Sequence, residues 1–422
     1  MTNPRDTTGP GPTKTEHRLD IRAVRRQFPA LRQLVHGHPL AYLDNAATTH
    51  KPTRVLDILV HHYERDNANV HRGLHTLGVR ATEAYEKARA RVAQFLGARE
   101  AAEIVFTRGT TEAINLVAQS YGRSHLQPGD EVIVTAMEHH ANLLPWRRLC
   151  TEVGARLRVV PIDAEGGLRV DEFARLLGGK PRLVAVAHAA NALGTVNPIA
   201  KMIRLAHAVG AVVLVDGALA AAHAPVDVAA LDCDFYACSA HKLYGPTGIG
   251  ALYGKAALLA AMPPWQTGGD MVLAVEDDAI RYAEPPQRFE AGTPPIAEAI
   301  AFAHALDWLA ELGHERVLAH ERALLTHATE ELRAVEGVRL VGTTRDKVAV
   351  VSFIVEGLHS HDVATILDDA GVAVRAGDQC AQPLMRALGL PDTVRASFAA
   401  YNTVDEIDRL VDGVRQARAL LG

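Results

Sequence analysis

Several reactive side chains in this 422-residue sequence stand where their chemistry is conspicuous. Lys242 lies in "SAHKLYGPTG" (239–248), between an apolar run and a turn of glycine and proline. Asp216 ends the apolar run "VLVD", where a carboxylate is costly without a cationic partner. In "TRGTTEAIN" (107–115), Gly109, Thr110 and Thr111 open a helical pattern, so free N–H groups and hydroxyls there could hold a phosphate. Each has a plainer role when taken alone: Thr111 and Asp216 as caps, Lys242 as a lysine snorkelling from a domain edge. Together, a phosphate cradle, an anion for a ring nitrogen and a lysine able to form an imine are the three handles of pyridoxal phosphate. Cys380, in "VRAGDQCAQPLM" (374–385), occupies a polar, glycine-hinged loop between a strand and a helix. Cys150 falls in a helical pattern, and Cys233 and Cys238 lie in or beside an apolar strand, where a cysteine is usually an inert small hydrophobe.

Composition narrows the partners. The net charge is −5 and no basic run is dense, so nucleic acid and anionic membrane surfaces are not expected. The longest apolar stretches are interrupted by charge or glycine, and "MTNPRDTTGPGPTKTEH" lacks the apolar region of a signal peptide, so the expected location is the cytoplasm. Four cysteines without a CxxC pair, and histidines paired as neighbours (His61-His62, His139-His140), do not form a metal site of the chain's own.

These side chains need elements to hold them. Residues 1–17 read as a disordered tail, with order beginning near Asp20, a candidate N-cap. From 100 to 255, short β-type runs alternate with helical segments, which predicts an α/β fold with a mostly parallel sheet covered by helices. Beyond the ends of such strands ligands bind. The Pro/Gly-rich passage 262–295 reads as a hinge, followed by one long helical pattern at about 296–336 and then a smaller α+β unit. The expected division is a large domain over 40–300 and a small one built from 18–39 and 301–422, which carries the Cys380 loop.

The stretches "HTLG", "MEHHANLLPW", "HAANALGT", "FEAGTP" and "RASFAAYNT" extend the pattern. With them the chain closely resembles, from about residue 20 to 421, the SUF-type (group II) cysteine desulfurases of the class V aminotransferase superfamily. The resemblance implies a pyridoxal-phosphate-dependent transferase of fold type I, with a seven-stranded sheet in the large domain. It also implies that Lys242 bonds the cofactor, that Asp216 faces its ring nitrogen, and that His139 stacks on its ring and shares in catalysis. Thr110, Thr111, Ser239 and His241 would anchor the phosphate. Thr293, in "FEAGTP", would reach the cofactor of a neighbouring subunit, implying a homodimer. Asn191, Arg375 and Arg395 would bind the substrate, with Arg395 clamping its carboxylate through a bidentate fork.

The implied reaction converts L-cysteine to L-alanine and leaves a persulfide on Cys380, whose sulfur passes to an acceptor protein of the SUF system for iron–sulfur cluster assembly. His361 stands nineteen positions before Cys380. By the same resemblance it could enter the zinc shell of such an acceptor and release a cysteine thiolate; on the residues alone, it belongs to a polar loop near a helix cap. Two departures from the family pattern stand out: Leu219 replaces a glutamine in "DGAL", and Asp378 replaces a histidine two residues before Cys380. A carboxylate beside a thiol disfavours the thiolate. A selenocysteine lyase or another class V aminotransferase, and a catalytically weak assembly partner, are the competing readings.

Overall fold

The computed structural model describes residues 19–179 and 181–422, so the expected tail lies outside the described residues. Asp20 caps the first helix, Ile21–Arg26, its carboxylate accepting from the Ala23 amide at 3.0 Å.

A seven-stranded sheet forms the frame. Its order is Ile104–Thr107, Gly250–Gly254, Phe235–Ser239, Val212–Asp216, Leu183–Ala187, Glu131–Thr135 and Arg156–Val160. The last five pair in parallel, while Gly250–Gly254 runs antiparallel to both its neighbours. The sheet is therefore mixed, with one reversed strand. Its near-continuous Val, Leu, Ala and Ile composition fits strands buried on both faces, and separate apolar clusters cover the two sides.

The C-terminal part builds a four-stranded antiparallel sheet in the order Val338–Val341, Val350–Val355, Thr393–Ser397, Arg375–Gly377. The helices His314–Ala334, Ser360–Asp369 and Val404–Leu421 pack against it over their own core. The run "VAVR" (372–375) contributes to two strands. Val372–Ala373 pairs in parallel with Ala41–Tyr42, and Arg375–Gly377 joins the antiparallel sheet.

One expectation needs correction. The single helical pattern at 296–336 is two helices, Ile296–Leu312 and His314–Ala334. Gly313 between them adopts φ +82°, a conformation that ends a helix and that glycine tolerates best. The passage 262–295, read as a hinge, contains an antiparallel hairpin of Val272–Val275 and Ile280–Tyr282. No helix among the described residues is long and apolar enough to cross a membrane.

Candidate active site

A cavity of about 720 Å³ opens where the strand ends of the large sheet face the C-terminal sheet. Its walls include Thr110, Thr111, His139, Asn191, Asp216, Ser239, His241 and Lys242 from the first part of the chain, and His361, Arg375, Cys380 and Arg395 from the second. All the expected site residues except Thr293 thus meet in one place. Thr293 lines a separate cavity with Thr107, Arg108 and Glu112.

The phosphate-type corner is built by a strand, a turn and a helix. Ile104–Thr107 ends in the turn through Gly109, whose φ of +148° lets helix Thr110–Val117 start toward the cavity. Ser239, at the end of its own strand, accepts from the Thr110 amide at 2.8 Å and shares a second 2.8 Å hydrogen bond with the Thr110 hydroxyl. Gly250 keeps this corner tight, because a Cβ there would lie 2.5 Å from the Cys238 carbonyl and 2.6 Å from Gly109 Cα.

Asp216 closes the central strand, 6% exposed, with one oxygen accepting from the Ala218 amide at 2.9 Å. Burial raises its pKa, opposed by that hydrogen bond and by Lys242. Lys242 follows the strand ending at Ser239 and projects into the cavity. Burial lowers its amine from 10.5 to about 8, with Asp216 pulling the other way. A neutral amine is thereby accessible near neutral pH, as imine formation requires. His139 accepts from the Ala141 amide through Nδ1 at 3.0 Å, which leaves Nε2 as the protonated nitrogen of the neutral ring. Burial, followed by the charge of Lys242, lowers its pKa to about 4, so the ring is uncharged at pH 7. His241 is lowered to about 4 for the same leading reason.

The substrate-type corner centres on Asp44, a residue that the sequence reading did not single out. Its carboxylate takes Arg375 bidentately, with contacts of 3.1 and 2.7 Å, and accepts from Arg395 Nη2 at 3.0 Å. Arg395, 2% exposed, also donates through Nη1 to the Asn191 carbonyl at 3.0 Å. Its Nε and the Asn191 Oδ1 are buried without protein partners. Unsatisfied polar atoms of this kind are costly unless a ligand completes them. The sequence signal for Asp44 was its place in "AYLDNAATT", a lone carboxylate in an apolar run. Glu138 was also missed, although it precedes His139. Fully buried, it accepts from Thr135, Asn142 and the Ala187 amide, and burial raises its pKa to about 7.

The cysteines separate by exposure. Cys380 is exposed at the cavity rim, whereas Cys150, Cys233 and Cys238 are buried, and burial pushes those three thiols up to about 11, 12 and 12. Gln379 and Cys380 both hold left-handed backbone, at φ +57° and +53°, a conformation that costs a non-glycine residue about 1–2 kcal/mol. The loop is held from outside: Asn191 Nδ2 donates to the Gln379 carbonyl at 2.7 Å and the His140 amide to the Cys380 carbonyl at 2.8 Å. Asp378 Oδ1 accepts from the Cys380 amide at 2.9 Å, which holds that carboxyl below its usual range. Leu219, 3% exposed, joins an apolar group with Ala46, Ala189 and Val350 at the cavity wall.

The donor set fits pyridoxal phosphate: a lysine biased toward the free amine, a buried carboxylate, a neutral imidazole and a helix start lined with hydroxyls. Comparison with known proteins agrees. The aminotransferase class-V family model matches residues 41–410. A cysteine desulfurase of Dickeya dadantii is 52% identical over 403 residues, covering 95% of this chain and 98% of that protein. A probable cysteine desulfurase of Mycolicibacterium paratuberculosis is 51% identical over 404 residues; the match covers 96% of this chain but 59% of that longer protein. In the crystal structure of the cysteine desulfurase CsdA from Escherichia coli, the fold superposes with a TM-score of 0.89 at 44% identity, covering 96% of this chain and all of that one. The cofactor is pyridoxal phosphate, and the chain belongs to the cysteine desulfurase family of the class-V aminotransferases.

Proposed function

We propose that the protein is a cysteine desulfurase that converts L-cysteine to L-alanine and carries the sulfur as a persulfide on Cys380. The observation that carries this reading is the exposed Cys380 thiol on the rim of the cavity that also holds Lys242 and Asp216. Pyridoxal phosphate supplies the electron sink that lets the Cα–H and Cβ–S bonds of the amino acid be broken. Thr110, Thr111, Ser239 and His241 would hold its phosphate, Asp216 would keep its ring nitrogen protonated, and His139 would cover its ring. Arg395 donates to the substrate carboxylate through its unpartnered Nε–H, and Asn191 lies beside it with Oδ1 free to accept from an N–H or O–H of the bound molecules. Arg375 shares the Asp44 carboxylate with Arg395, which holds the two guanidiniums on the same side of the cavity. Lys242 in its free-amine form accepts the Cα proton. The Cys380 thiolate attacks the substrate sulfur; the S–S bond forms as the Cβ–S bond breaks, the electron pair left on Cβ takes up a proton, and Lys242 returns a proton to Cα, which gives alanine.

The finer assignment is to the SUF-type branch, with transfer from Cys380 to a sulfur-acceptor protein that supports iron–sulfur cluster assembly. His359 and His361 lie exposed on the same rim as Cys380, a position that favours contact with a zinc-bearing acceptor. The division into a large domain (40–300) and a small one (18–39 and 301–422) is part of this proposal; the two main sheets have separate cores, although Val24, Phe28, Leu306 and Trp308 pack in the core of the large sheet.

The decisive experiment measures alanine released from L-cysteine in the presence of a reductant. Wild type should turn over, Lys242→Ala should not, and Cys380→Ser should bind cysteine and change the visible spectrum without forming persulfide. Undiminished alanine from Cys380→Ser would favour a lyase instead. With a zinc-loaded acceptor, the ratio of stimulated to unstimulated rate should fall to about one for His361→Ala; a ratio equal to wild type would refute that part.

A further inference from the structure

One carbonyl in the protein draws more donors than its two lone pairs can serve at once. It belongs to His241, the residue directly before Lys242. The Thr49 amide reaches it at 3.0 Å, the Thr48 and Thr49 hydroxyls at 3.1 Å each, and Lys51 Nζ at 3.2 Å. All four come from one segment, "TTHK" at 48–51. That segment also holds the other side of the lysine turn, since Thr49 Oγ1 accepts at 3.0 Å from the amide of Tyr244, a left-handed residue at φ +62°.

Lys51 is an unusual choice for this contact. It does not line the cavity. Its ammonium is met only by neutral oxygens: Thr48 Oγ1 at 3.3 Å, the Thr49 carbonyl and the His241 carbonyl. No carboxylate pairs with it among the described residues, and burial pushes the amine down to about 8. Burying an unpaired cation costs stability, and the His241 carbonyl would stay hydrogen-bonded through three other donors without it. A contribution to folding therefore does not explain the lysine, whereas its three N–H groups lock segment 48–51 to the peptide that aims Lys242.

We propose that Lys51 is a positioning residue for Lys242, gripping the His241 carbonyl so that the Lys242 amine is presented to the cofactor aldehyde at a fixed angle and depth. This inference rests on the assignment of Lys242 as the cofactor-binding lysine. It does not depend on the sulfur chemistry at Cys380.

The test follows capture of pyridoxal phosphate by apoprotein through the rise in visible absorbance, together with melting of the apoprotein. Lys51→Met should fold, yet capture the cofactor about tenfold more slowly, since even small displacements of a reacting group are expensive. Lys51→Arg, which keeps a charged donor of similar reach, should recover most of the rate. Thr48→Val, which removes both a donor to His241 and an acceptor for Lys51, should slow capture in the same direction. A wild-type rate in Lys51→Met would overturn the proposal, as would a folded Lys51→Arg no faster than Lys51→Met. If Lys51→Met does not fold, Thr48→Val decides, and a wild-type rate in that variant overturns it. Alanine release is measured beside these rates; a wild type that captures cofactor but releases no alanine would remove the desulfurase reading while the order of capture rates still tests Lys51.

Discussion

Lys242 is reactive because of where it is buried. Desolvation outweighs the pull of Asp216 and brings its amine to about 8 from 10.5. The sign sets the pH dependence. Below about 8 the ammonium dominates and cannot attack the cofactor aldehyde; above it the free amine dominates. Cofactor capture by apoprotein should therefore climb as pH rises toward 8 and level off beyond. An unperturbed lysine would keep climbing about tenfold per unit to pH 10. Asp216→Asn removes the group that raises the amine, so its midpoint should fall. Stopped-flow absorbance across pH 6–10 checks both, and a rate still climbing at pH 10 would refute the shift. The three buried cysteines show the same physics with the opposite outcome, because desolvation disfavours the thiolate and leaves them inert.

Among the elements, the reversed strand Gly250–Gly254 has the tightest fit. It lies between Ile104–Thr107 and Phe235–Ser239, the strands that deliver the helix start and Ser239 to one corner. Gly250 lets their backbones close around it. Gly250→Ala would set a Cβ against backbone atoms at 2.5 and 2.6 Å, contacts that no side-chain rotation relieves. The expected cost is about 1–3 kcal/mol, with faster loss of bound cofactor as Thr110 and Ser239 separate. Gly269→Ala, where an added Cβ meets nothing within 4 Å, is the control. Matching melting curves and cofactor off-rates for the two variants would show that the corner tolerates the methyl group. The periodicity of the chain foretold these strands, and their alternation with helices predicted the sheet. It did not foretell that one strand runs backwards or that Gly313 divides a continuous helical pattern, since the apolar spacing of residues on either side is compatible with both outcomes.

At the scale of the whole molecule, Thr293 is the residue that a single chain leaves apart from the cavity. The homodimer implied by family resemblance would bring it to a partner's cofactor. Apolar side chains support such a contact: Leu74 is 99% exposed, and Tyr63, Leu77 and Val79 are exposed near it in sequence. Water-facing apolar groups of this size suit burial against another chain. Sedimentation should give the mass of two chains. Leu74→Asp combined with Leu77→Asp should give one, with cofactor retention reduced. A fully active single-chain species would exclude a shared site.

The sequence by itself determined the chemistry on offer: an amine, a carboxylate, an imidazole, a thiol and a hydroxyl-lined helix start, each at a strand end or in a loop that local patterning could identify. It determined the α/β class for the same reason, because apolar periodicity is a property of short windows. Only the tertiary structure decided which groups face one another. Asp44 meets Arg375 and Arg395 across 331 and 351 residues of chain, and Lys51 meets the His241 carbonyl across 190. No local rule reaches that far. The pKa values of Lys242, Asp216 and His139 likewise depend on how much water folding removes around them, a quantity set by packing of distant segments and not by neighbours in sequence.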